Sequence, residues 1–397
     1  MLFASTALRD LKVIDLTTMI AGPTMGRLFA ELGANVIHVE PPYGDDGRNS
    51  TTAYLGSEGT IYSVGNRSKR GIVVDIRRPE GRDVLLSLVR DADIFIENMT
   101  PGRLDQRGLG FRDLHAINPR LVYVSISGWG QAGRLAQLPG YDILVQAFSG
   151  AMRQLNESTP PAFSSVMVGD PWAPVLAAFA TMVVLRQREQ TGEGGHVTTS
   201  LLQSALHGLG TSLVKADADT ASVPREQPVG LPGGSGVFVT RDGHYTVICA
   251  WTDDQFARLC HLAGFHHLAD DPAYATRLQR QAAQVELNEV FASWTESLSR
   301  PELLDRLNAE HIPCSPVTAT TAELLSDADL IANGFVVALD HPTKGRLWQI
   351  GAPFELDGQR GSIRPAPLMG QHTDDVLREH AYSEEQIQAL RAVGAIA

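Results

Sequence analysis

From residue 12 to residue 127 the chain alternates short apolar runs with amphipathic stretches, which is typical of strands and helices that follow one another. The pattern predicts helices over residues 22–32 and 79–90, a surface loop over 41–59, and strands at residues 12–17, 35–40, 71–75, 93–97 and 121–127. This order indicates a Rossmann-like, doubly wound parallel sheet of the α/β class, whose ligands bind beyond the carboxyl ends of the strands. The candidate ligand loops therefore begin near Thr17, Asp75, Asn98 and Ser127.

A long apolar stretch from Val166 to Gln190 predicts one helix, with Asp170 at its N-cap and Pro171 at its first position. The apolar side chains that recur there at helical spacing are Trp172, Val175, Leu176, Phe179, Met182 and Val183. Two interpretations of Asp170 are open from these residues. Its carboxylate either caps free backbone N–H groups, or it is kept ionised by the helix dipole and presented as a nucleophile.

Beyond this helix the pattern predicts a change of domain. A further helix covers residues 200–209, and the following residues are rich in Pro, Gly and small side chains, as linkers are. A hairpin with Asp242-Gly243 at its turn comes next, and strand and helix patterns resume near the C-terminus. We predict a large α/β domain formed by both termini (1–210 and 326–397), a linker with a glycine loop (211–235) and a smaller α+β domain (236–325).

Composition narrows the class of protein. The 397 residues include 45 acidic and 33 basic ones, a formal net charge of −12, which argues against a nucleic-acid partner. The three cysteines, Cys249, Cys260 and Cys314, are far apart and lack metal-site spacing, so we expect a reducing compartment and no metal. Neither a signal peptide nor an apolar stretch long enough to cross a bilayer is recognised, which favours a cytoplasmic protein with no membrane partner.

One motif for dinucleotide binding is present but incomplete. Gly128-Trp-Gly-Gln-Ala-Gly133 matches GxGxxG after a predicted strand. Such a fingerprint must open a helix, however, and Leu138-Pro139-Gly140 interrupts the chain soon afterwards. We therefore expect no nicotinamide or flavin, and no permanently bound cofactor.

Many short blocks, rather than one motif, carry a resemblance to a known family. They are Val13–Thr17 with Ala21–Pro23, Leu32–Glu40, Asn66–Arg70, Ala92–Asn98 with Pro101–Gly102, Asn118–Gly130, Gly140–Asp142, Gln146–Ala147, Gly169–Asp170, Arg186–Gly192, Ile312–Val317 and Ala366–Thr373. In this order they resemble the class III CoA-transferases of the formyl-CoA transferase and carnitine CoA-transferase type. The resemblance runs from about residue 8 to the C-terminus, with coenzyme A thioesters as the implied substrates.

The resemblance implies that Asp170 is the catalytic nucleophile. It would attack an acyl-CoA thioester to give an acyl-aspartyl anhydride, which the CoA thiolate converts to an aspartyl-CoA thioester before CoA passes to a carboxylic acid. A carboxylate with a pKa of about 3.9 is nearly all ionised at pH 7 and needs no general base. Water must be excluded. The implied shielding loop falls on Gly233, Gly234 and Gly236, for which a plain linker turn is the alternative.

Residues that contact CoA are also implied by the resemblance. Arg77 matches a basic family position, although a surface arginine ahead of a helix is an equal alternative. Family arginines fall on Pro41 and Gln106 here, so Arg103 and Arg107 are expected to substitute. Ile20 stands where formyl-CoA transferases carry glutamine, which favours a carboxylate with more carbon than formate or oxalate. The full expected set is Ile20, Ala21, Val74, Arg77, Asn98, Met99, Thr100, Arg103, Gln106, Arg107 and Tyr141.

Two alternative functions stay open at this point. The same fold hosts α-methylacyl-CoA racemases, which use a histidine at the position of Tyr141. A phenol with a pKa of about 10 is a poor proton shuttle at pH 7. A non-catalytic acyl-CoA-binding homologue is the second alternative. The expected partners are an acyl-CoA, a small carboxylic acid and, as family membership implies, a second copy in an interlocked homodimer.

Overall fold

The structure is a computed structural model that describes residues 4–50, 54–55, 58–155, 161–210, 213 and 231–397. Its chain divides into two compact units, Met1–Val214 with Ala328–Ala397, and Lys215–Asp327. Most of the predicted linker over 211–235 lies outside the described residues. None of the helices in the described ranges is both long enough and apolar enough to cross a membrane.

The first unit alternates strands and helices from its beginning. Up to the second unit its elements are β1 (Lys12–Leu16), α1 (Ala21–Glu31), β2 (Asn35–Glu40), β3 (Tyr54–Leu55), β4 (Glu58–Gly59), α2 (Thr60–Gly65), β5 (Arg70–Val73), α3 (Pro79–Val89), β6 (Ile94–Glu97), α4 (Phe111–Ile117), β7 (Val122–Ser127), α5 (Asp142–Ser149), α6 (Ala151–Leu155), α7 (Trp172–Thr191), β8 (Gly195–Ser200) and α8 (Leu201–Gly208).

The second unit contains β9 (Gly236–Val239), β10 (Tyr245–Ile248), α9 (Asp253–Ala263), α10 (His266–Ala269), α11 (Arg277–Ala282), α12 (Gln284–Thr295), α13 (Arg300–Ala309), β11 (Cys314–Pro316) and α14 (Thr321–Leu324). The three strands form an antiparallel sheet in the order β11-β10-β9. The predicted hairpin is present, and Gly243 adopts a φ of 74° in its turn. A core that includes Phe256, Leu287 and Phe291 joins this sheet to its helices.

The chain then returns to the first unit, where it adds α15 (Ala328–Ala332), β12 (Val336–His341), β13 (Gly345–Ile350), β14 (Glu355–Leu356), β15 (Gln359–Arg360), α16 (Thr373–Glu379) and α17 (Glu384–Ala392). Strands β12 and β13 pair as an antiparallel hairpin. Helices α16 and α17 supply Val376, Leu377 and Ile387 to the core of the first unit. Both ends of the chain therefore build this unit.

Six strands form one parallel sheet in the order β5-β2-β1-β6-β7-β8. The connections run in opposite directions from β1 and β6, so the topological switch point lies between these two strands. Strand β8 was not predicted, because residues 196–199 were expected to lead directly into a helix. Its sequence, Gly-His-Val-Thr-Thr-Ser, lacks a continuous apolar run, since β8 lies at the sheet edge and is only partly buried.

Two apolar cores cover the two faces of this sheet. On one face, Ile14 and Leu16 of β1 pack in a core with helices α3, α4, α16 and α17. On the other face, Val13 of β1 packs in a core with helices α1, α7 and α8. Neighbouring residues of one strand point to opposite faces, so each strand contributes to both cores.

Helix α7 buries a different side from the one that its apolar pattern predicts. Its buried positions include the small residues Ala173, Ala177 and Thr181. Phe179 is 71% exposed and Val183 is 52% exposed. Since α7 packs closely against α1 and the sheet, small side chains suit the contact. The helix itself was predicted correctly, but most of the apolar side chains that defined its pattern face away from the core, while Leu185 near its end is buried.

Candidate active site

A cleft of about 610 Å³ lies at the carboxyl ends of the parallel strands in the first unit. Its lining includes Thr17 after β1, Glu40 at the end of β2, Val74 after β5, Asn98 after β6 and Ser127 at the end of β7. The side chain of Asn98 also joins the loops on either side of the switch point, because its Nδ2 donates to the Thr18 carbonyl oxygen at 2.8 Å. Open α/β sheets bind their ligands at this position.

The cleft brings together most of the residues that the sequence singled out. It is lined by Ile20, Ala21, Val74, Arg77, Asn98, Met99, Thr100, Arg103, Arg107, Tyr141 and Asp170. Gln106 does not line it. A 3-10 turn over Asp105–Arg107 leaves Gln106 exposed, while Arg103 and Arg107, four residues apart, reach the cleft.

The predicted surface loop after β2 is in fact part of the cleft wall. Pro41, Tyr43 and Asp46 line the cleft, and Asp45 is only 2% exposed. Sequence reasoning missed Asp45 because Gly- and Asp-rich segments are usually exposed loops. One signal was available, since His38 lies within an apolar strand and a buried imidazole needs polar partners.

The sequence predicted Asp170 at the N-cap of helix α7, but Asp170 lies one residue before it. The helix begins at Trp172 with Pro171 as its N-cap. The Ala173 N–H donates to the Gly169 carbonyl oxygen at 2.9 Å, so backbone atoms close the first turn. Within the described ranges, the Asp170 side chain accepts no hydrogen bond. Its carboxylate lines the cleft instead.

The neighbouring Gly169 allows this segment to lie close to the start of α8. A Cβ atom at Gly169 would lie 2.9 Å from the Leu201 Cβ atom and 3.0 Å from the Leu201 carbonyl oxygen. Real Cβ atoms do not approach other atoms this closely, so a larger residue would displace the backbone. Gly169 therefore fixes how far Asp170 stands from α8.

Asp142, in the first turn of α5, holds the backbone that carries Asp170. Its Oδ2 atom accepts hydrogen bonds from the N–H groups of Val168, Gly169 and Asp170 at 3.0, 2.7 and 3.0 Å. The Gln146 amide donates to the Asp142 Oδ1 atom at 2.8 Å, which orients the carboxylate further. Asp142 is thus committed to backbone groups and is not free to serve as an acid or base.

The electrostatic surroundings of Asp170 favour its neutral form. Burial, together with the negative charge of Asp142, raises the pKa of Asp170 to about 7. The expectation from the sequence that the carboxylate is nearly all ionised at pH 7 is therefore wrong. Desolvation of the carboxyl group is the main cause, and the neighbouring carboxylate of Asp142 adds to it.

Three arginines line the cleft, and they differ in how committed they are. Arg77 is held by Asp75, with Nε 2.7 Å from Oδ1 and Nη2 3.0 Å from Oδ2. In the described segments, Arg103 and Arg107 form no ion pair. Leu104, between them, belongs to the core under α3 and α4, whereas Leu201 beside Gly169 belongs to the core on the opposite face. The segment that carries the two uncommitted arginines thus packs on one face of the sheet, and the residue beside Gly169 and Asp170 packs on the other.

The predicted shielding glycines lie in the second unit. The Gly233 N–H donates to the Arg280 carbonyl oxygen and the Gly234 N–H to Asn288 Oδ1, both at 2.9 Å. A Cβ atom at Gly233 would lie 2.4 Å from Leu287 Cδ1, so this glycine permits close packing on α12. The shielding role stays a prediction.

Comparison with known proteins defines the class to which this fold and cleft belong. Residues 8–373 match the family described as CoA-transferase family III. The chain is 33% identical to the succinyl-CoA:glutarate CoA-transferase of Mus musculus, covering 98% of this chain and 90% of that protein. It is 29% identical to the formyl-CoA:oxalate CoA-transferase of Streptomyces avermitilis, covering 98% of this chain and 99% of that protein.

A solved structure agrees with these relatives. The crystal structure of a CAIB/BAIF family protein from Brucella suis matches with a TM-score of 0.82 at 30% identity, covering 95% of this chain and 100% of that chain. The chain therefore belongs to CoA-transferase family III and is an enzyme of that family. The resemblance drawn from the sequence blocks is confirmed.

Proposed function

We propose that this protein transfers CoA from an acyl-CoA donor to a carboxylic acid acceptor, with Asp170 as the nucleophile. One observation carries the proposal: a carboxylate to which no group of the described residues donates a hydrogen bond lines the cleft, on a backbone that Asp142 holds in place. A nucleophile needs oxygen atoms that are not already bonded to the protein. Asp170 meets this condition and Asp142 does not.

The reaction proceeds by exchange of acyl groups on the Asp170 carboxylate. An Asp170 oxygen attacks the thioester carbonyl carbon, the C–S bond breaks, and CoA leaves as a thiolate with a mixed anhydride left behind. The thiolate attacks the Asp170 carbonyl carbon, which releases the first carboxylate and gives an aspartyl-CoA thioester. The acceptor carboxylate attacks the carbonyl carbon of that thioester, the C–S bond breaks, and CoA leaves again as a thiolate with a second anhydride left behind. The thiolate then attacks the acceptor carbonyl carbon, the anhydride C–O bond breaks, and the acceptor acyl-CoA and the free Asp170 carboxylate are formed.

The raised pKa of Asp170 serves this chemistry. A carboxylate whose charge is poorly stabilised by its surroundings is a better nucleophile than one that is paired with cations. The disadvantage is that Asp170 is protonated, and therefore unreactive, in a fraction of the enzyme molecules at neutral pH. Activity is therefore expected to depend on pH close to 7.

CoA is proposed to cross the carboxyl edge of the sheet. Arg103 and Arg107 would hold its phosphates, because guanidinium groups without a carboxylate partner are free to bind anions. Exchange of Arg103 or Arg107 for Ala should raise the KM for acyl-CoA by roughly tenfold with little change in kcat. Arg112→Ala, in exposed α4 outside the cleft, is the matched control. An unchanged KM in both cleft variants would contradict this placement.

A homodimer is part of the same proposal. Helices α5 and α7 expose large apolar side chains, including Ile143, Phe148, Phe179, Met182 and Val183. An apolar surface of this extent usually marks an interface, and a second copy of the chain is the occupant that we propose. Sedimentation equilibrium should give twice the monomer mass at micromolar concentration. A monomer would contradict the dimer without touching the chemistry.

The function is tested with a panel of acyl-CoA donors and carboxylic acid acceptors, assayed for exchange of CoA. At least one pair should react in the wild type and fail in Asp170→Ala. Transfer by Asp170→Ala at the wild-type rate would exclude Asp170 as the nucleophile. Because burial and Asp142 raise the pKa of Asp170 to about 7, a value that also suits a general base, racemisation is the second candidate. Exchange of the acyl α-proton with deuterated water, without CoA transfer, would favour it.

A further inference from the structure

Charged side chains form a buried network of hydrogen bonds and ion pairs beneath the cleft wall. Lys69 Nζ donates to Asp15 Oδ2 at 2.6 Å and to Asn66 Oδ1 at 2.7 Å. On its other oxygen, Asp15 accepts hydrogen bonds from the N–H and the hydroxyl of Thr17. All of these charged groups are less than 5% exposed. The proposed reaction gives none of them a role.

His38 extends this network toward the cleft. Its Nδ1 atom lies 3.6 Å from Asp15 Oδ2 and its Nε2 atom 3.3 Å from Asp45 Oδ2. The imidazole is fully buried between the two carboxylates. Burial by itself would lower the pKa of His38, but the two carboxylates outweigh it and raise that pKa to about 9. His38 is therefore a cation at neutral pH.

Asp45 connects His38 to the cleft wall. Its Oδ1 atom accepts hydrogen bonds from the Thr18 hydroxyl at 2.8 Å, the Met19 N–H at 3.1 Å and the Gly47 N–H at 2.6 Å. Met19 has a φ of 70°, a conformation that costs free energy in any residue with a side chain. The Thr18–Met19 turn lines the cleft and is held in this conformation by Asp45.

The charges that face His38 come close to balance only when it is protonated. Asp15 and Asp45 are each paired on one side with His38, and Lys69 compensates Asp15 alone. Glu40, on the same strand as His38, is compensated by Arg48. A neutral imidazole would leave Asp45 without a cationic partner in a buried position, which is unfavourable. The titratable groups around His38 are Asp15, Glu40, Asp45, Tyr62 and Lys69.

We propose that His38 is a positioning residue for CoA binding: as an imidazolium it holds Asp45, and through Asp45 it fixes the Thr18–Met19 turn of the cleft wall. The inference rests on the proposed CoA-transferase function. It predicts that protonation of one buried side chain, remote from the reacting atoms, controls the affinity of the cleft for CoA.

The test measures binding of S-propyl-CoA, a thioether that has no ionisable thiol, by calorimetry between pH 6.5 and 10. Above pH 8, where Asp170 is already ionised, wild-type affinity should fall as the pH rises through about 9, because the imidazolium is lost there. His38→Gln should bind roughly tenfold more weakly at pH 7 and show no transition near pH 9. His341→Gln, another buried histidine outside the cleft, is the matched control and should behave as the wild type.

Each other outcome overturns a stated claim. Wild-type affinity in His38→Gln, or a transition near pH 9 that persists in it, would assign the effect to another group such as Lys69 and end the inference. If His38→Gln does not fold, His38→Lys keeps a cation at the site and should bind tightly with no transition at pH 9; a wild-type profile in that variant would also end it. A wild type that binds no S-propyl-CoA at pH 7 would contradict the CoA-transferase proposal itself.

Discussion

Asp45 and Asp170 line the same cleft, yet their pKa values move in opposite directions. Burial by itself raises the pKa of Asp45, but the His38 ring 3.3 Å away, with backbone N–H groups that donate to Asp45, brings it below its usual range. Asp170 is also largely buried, and its nearest charged neighbour is the carboxylate of Asp142, so its pKa rises to about 7. One carboxylate is supplied with a cation and donors, while the other is deprived of both.

We propose that this difference separates a structural carboxylate from a reactive one. Asp45 accepts hydrogen bonds from Thr18, Met19 and Gly47, so it stabilises the cleft wall and is unavailable to a substrate. Within the described residues, no group donates a hydrogen bond to the Asp170 side chain. Burial and the charge of Asp142 make its ionised form unfavourable. Surroundings, rather than residue type, decide which aspartate of this cleft can act as a nucleophile.

The largest effect is expected at Asp170. Asp170→Asn removes the proposed nucleophile but keeps the size of the side chain, so the rate of CoA transfer should fall by about 1,000-fold or more. Initial rates with a reactive donor and acceptor pair measure the loss. Asp46→Asn, which changes another carboxylate that lines the cleft, should leave the rate within a factor of about three. Equal losses in both variants would remove the distinction drawn between the two regions.

The next effect concerns stability at Asp45. Asp45→Asn leaves the buried His38 imidazolium without one of its two carboxylates, so the free energy of unfolding should fall by about 3 kcal/mol at pH 7. Because the pKa of Asp45 is lowered in the folded state, its contribution is present above pH 4 and is lost as the pH falls through the lowered value. Urea unfolding at pH 7 measures the change. A loss no larger than that of Asp46→Asn would show that the pair with His38 contributes little.

A smaller effect is the pH dependence of the reaction. Since Asp170 must be ionised to attack, kcat/KM should rise about tenfold per pH unit below its pKa and level off above about 7. Measurement between pH 5.5 and 8.5 covers the transition and stays below the titration of His38. A profile that is flat over this range would mean that the carboxylate is not poised as the structure indicates.

The smallest effect is a gain in stability when Asp170 is neutralised. The folded-state pKa of about 7 lies above the ordinary value of 3.8, so ionisation weakens the folded state as the pH rises from about 4 through 7. Asp170→Asn should therefore melt at a higher temperature than the wild type at pH 8, by roughly 1–2 °C for each kcal/mol recovered. At pH 4 the two proteins should melt together. A variant that is less stable at pH 8 would indicate that Asp170 supports the fold.

Much of the sheet could be predicted because its central strands are buried on both faces. The runs Val36–Val39 and Ile94–Ile96 are mostly or wholly apolar, which is typical of the buried strands of parallel sheets. Strand β8 could not be recognised in the same way, since an edge strand of His, Val and Thr buries only some of its side chains. The side of α7 that faces the core could not be predicted from the sequence either. The contact with α1 and the sheet requires small residues of α7, and most of the large apolar residues of this helix are exposed.

Asp170 was found from the sequence, but its chemical state was not. Its pKa depends on burial and on Asp142, which lies 28 residues earlier in the chain and reaches it through backbone N–H groups. The pairing of His38 with Asp15 and Asp45 is likewise a matter of tertiary structure. Sequence shows that a histidine occupies an apolar strand, while only the fold shows which carboxylates face it.

The outward side of α7 has a consequence for how this protein is produced and refolded. When α7 is packed on the sheet, Phe179 and Val183 remain exposed to solvent as an apolar surface. In the homodimer that we propose, a second copy covers these side chains, so chains that remain single are open to irregular association with one another. The yield of active enzyme on dilution from urea should therefore pass through a maximum with protein concentration, because pairing needs enough chains and aggregation is favoured by too many.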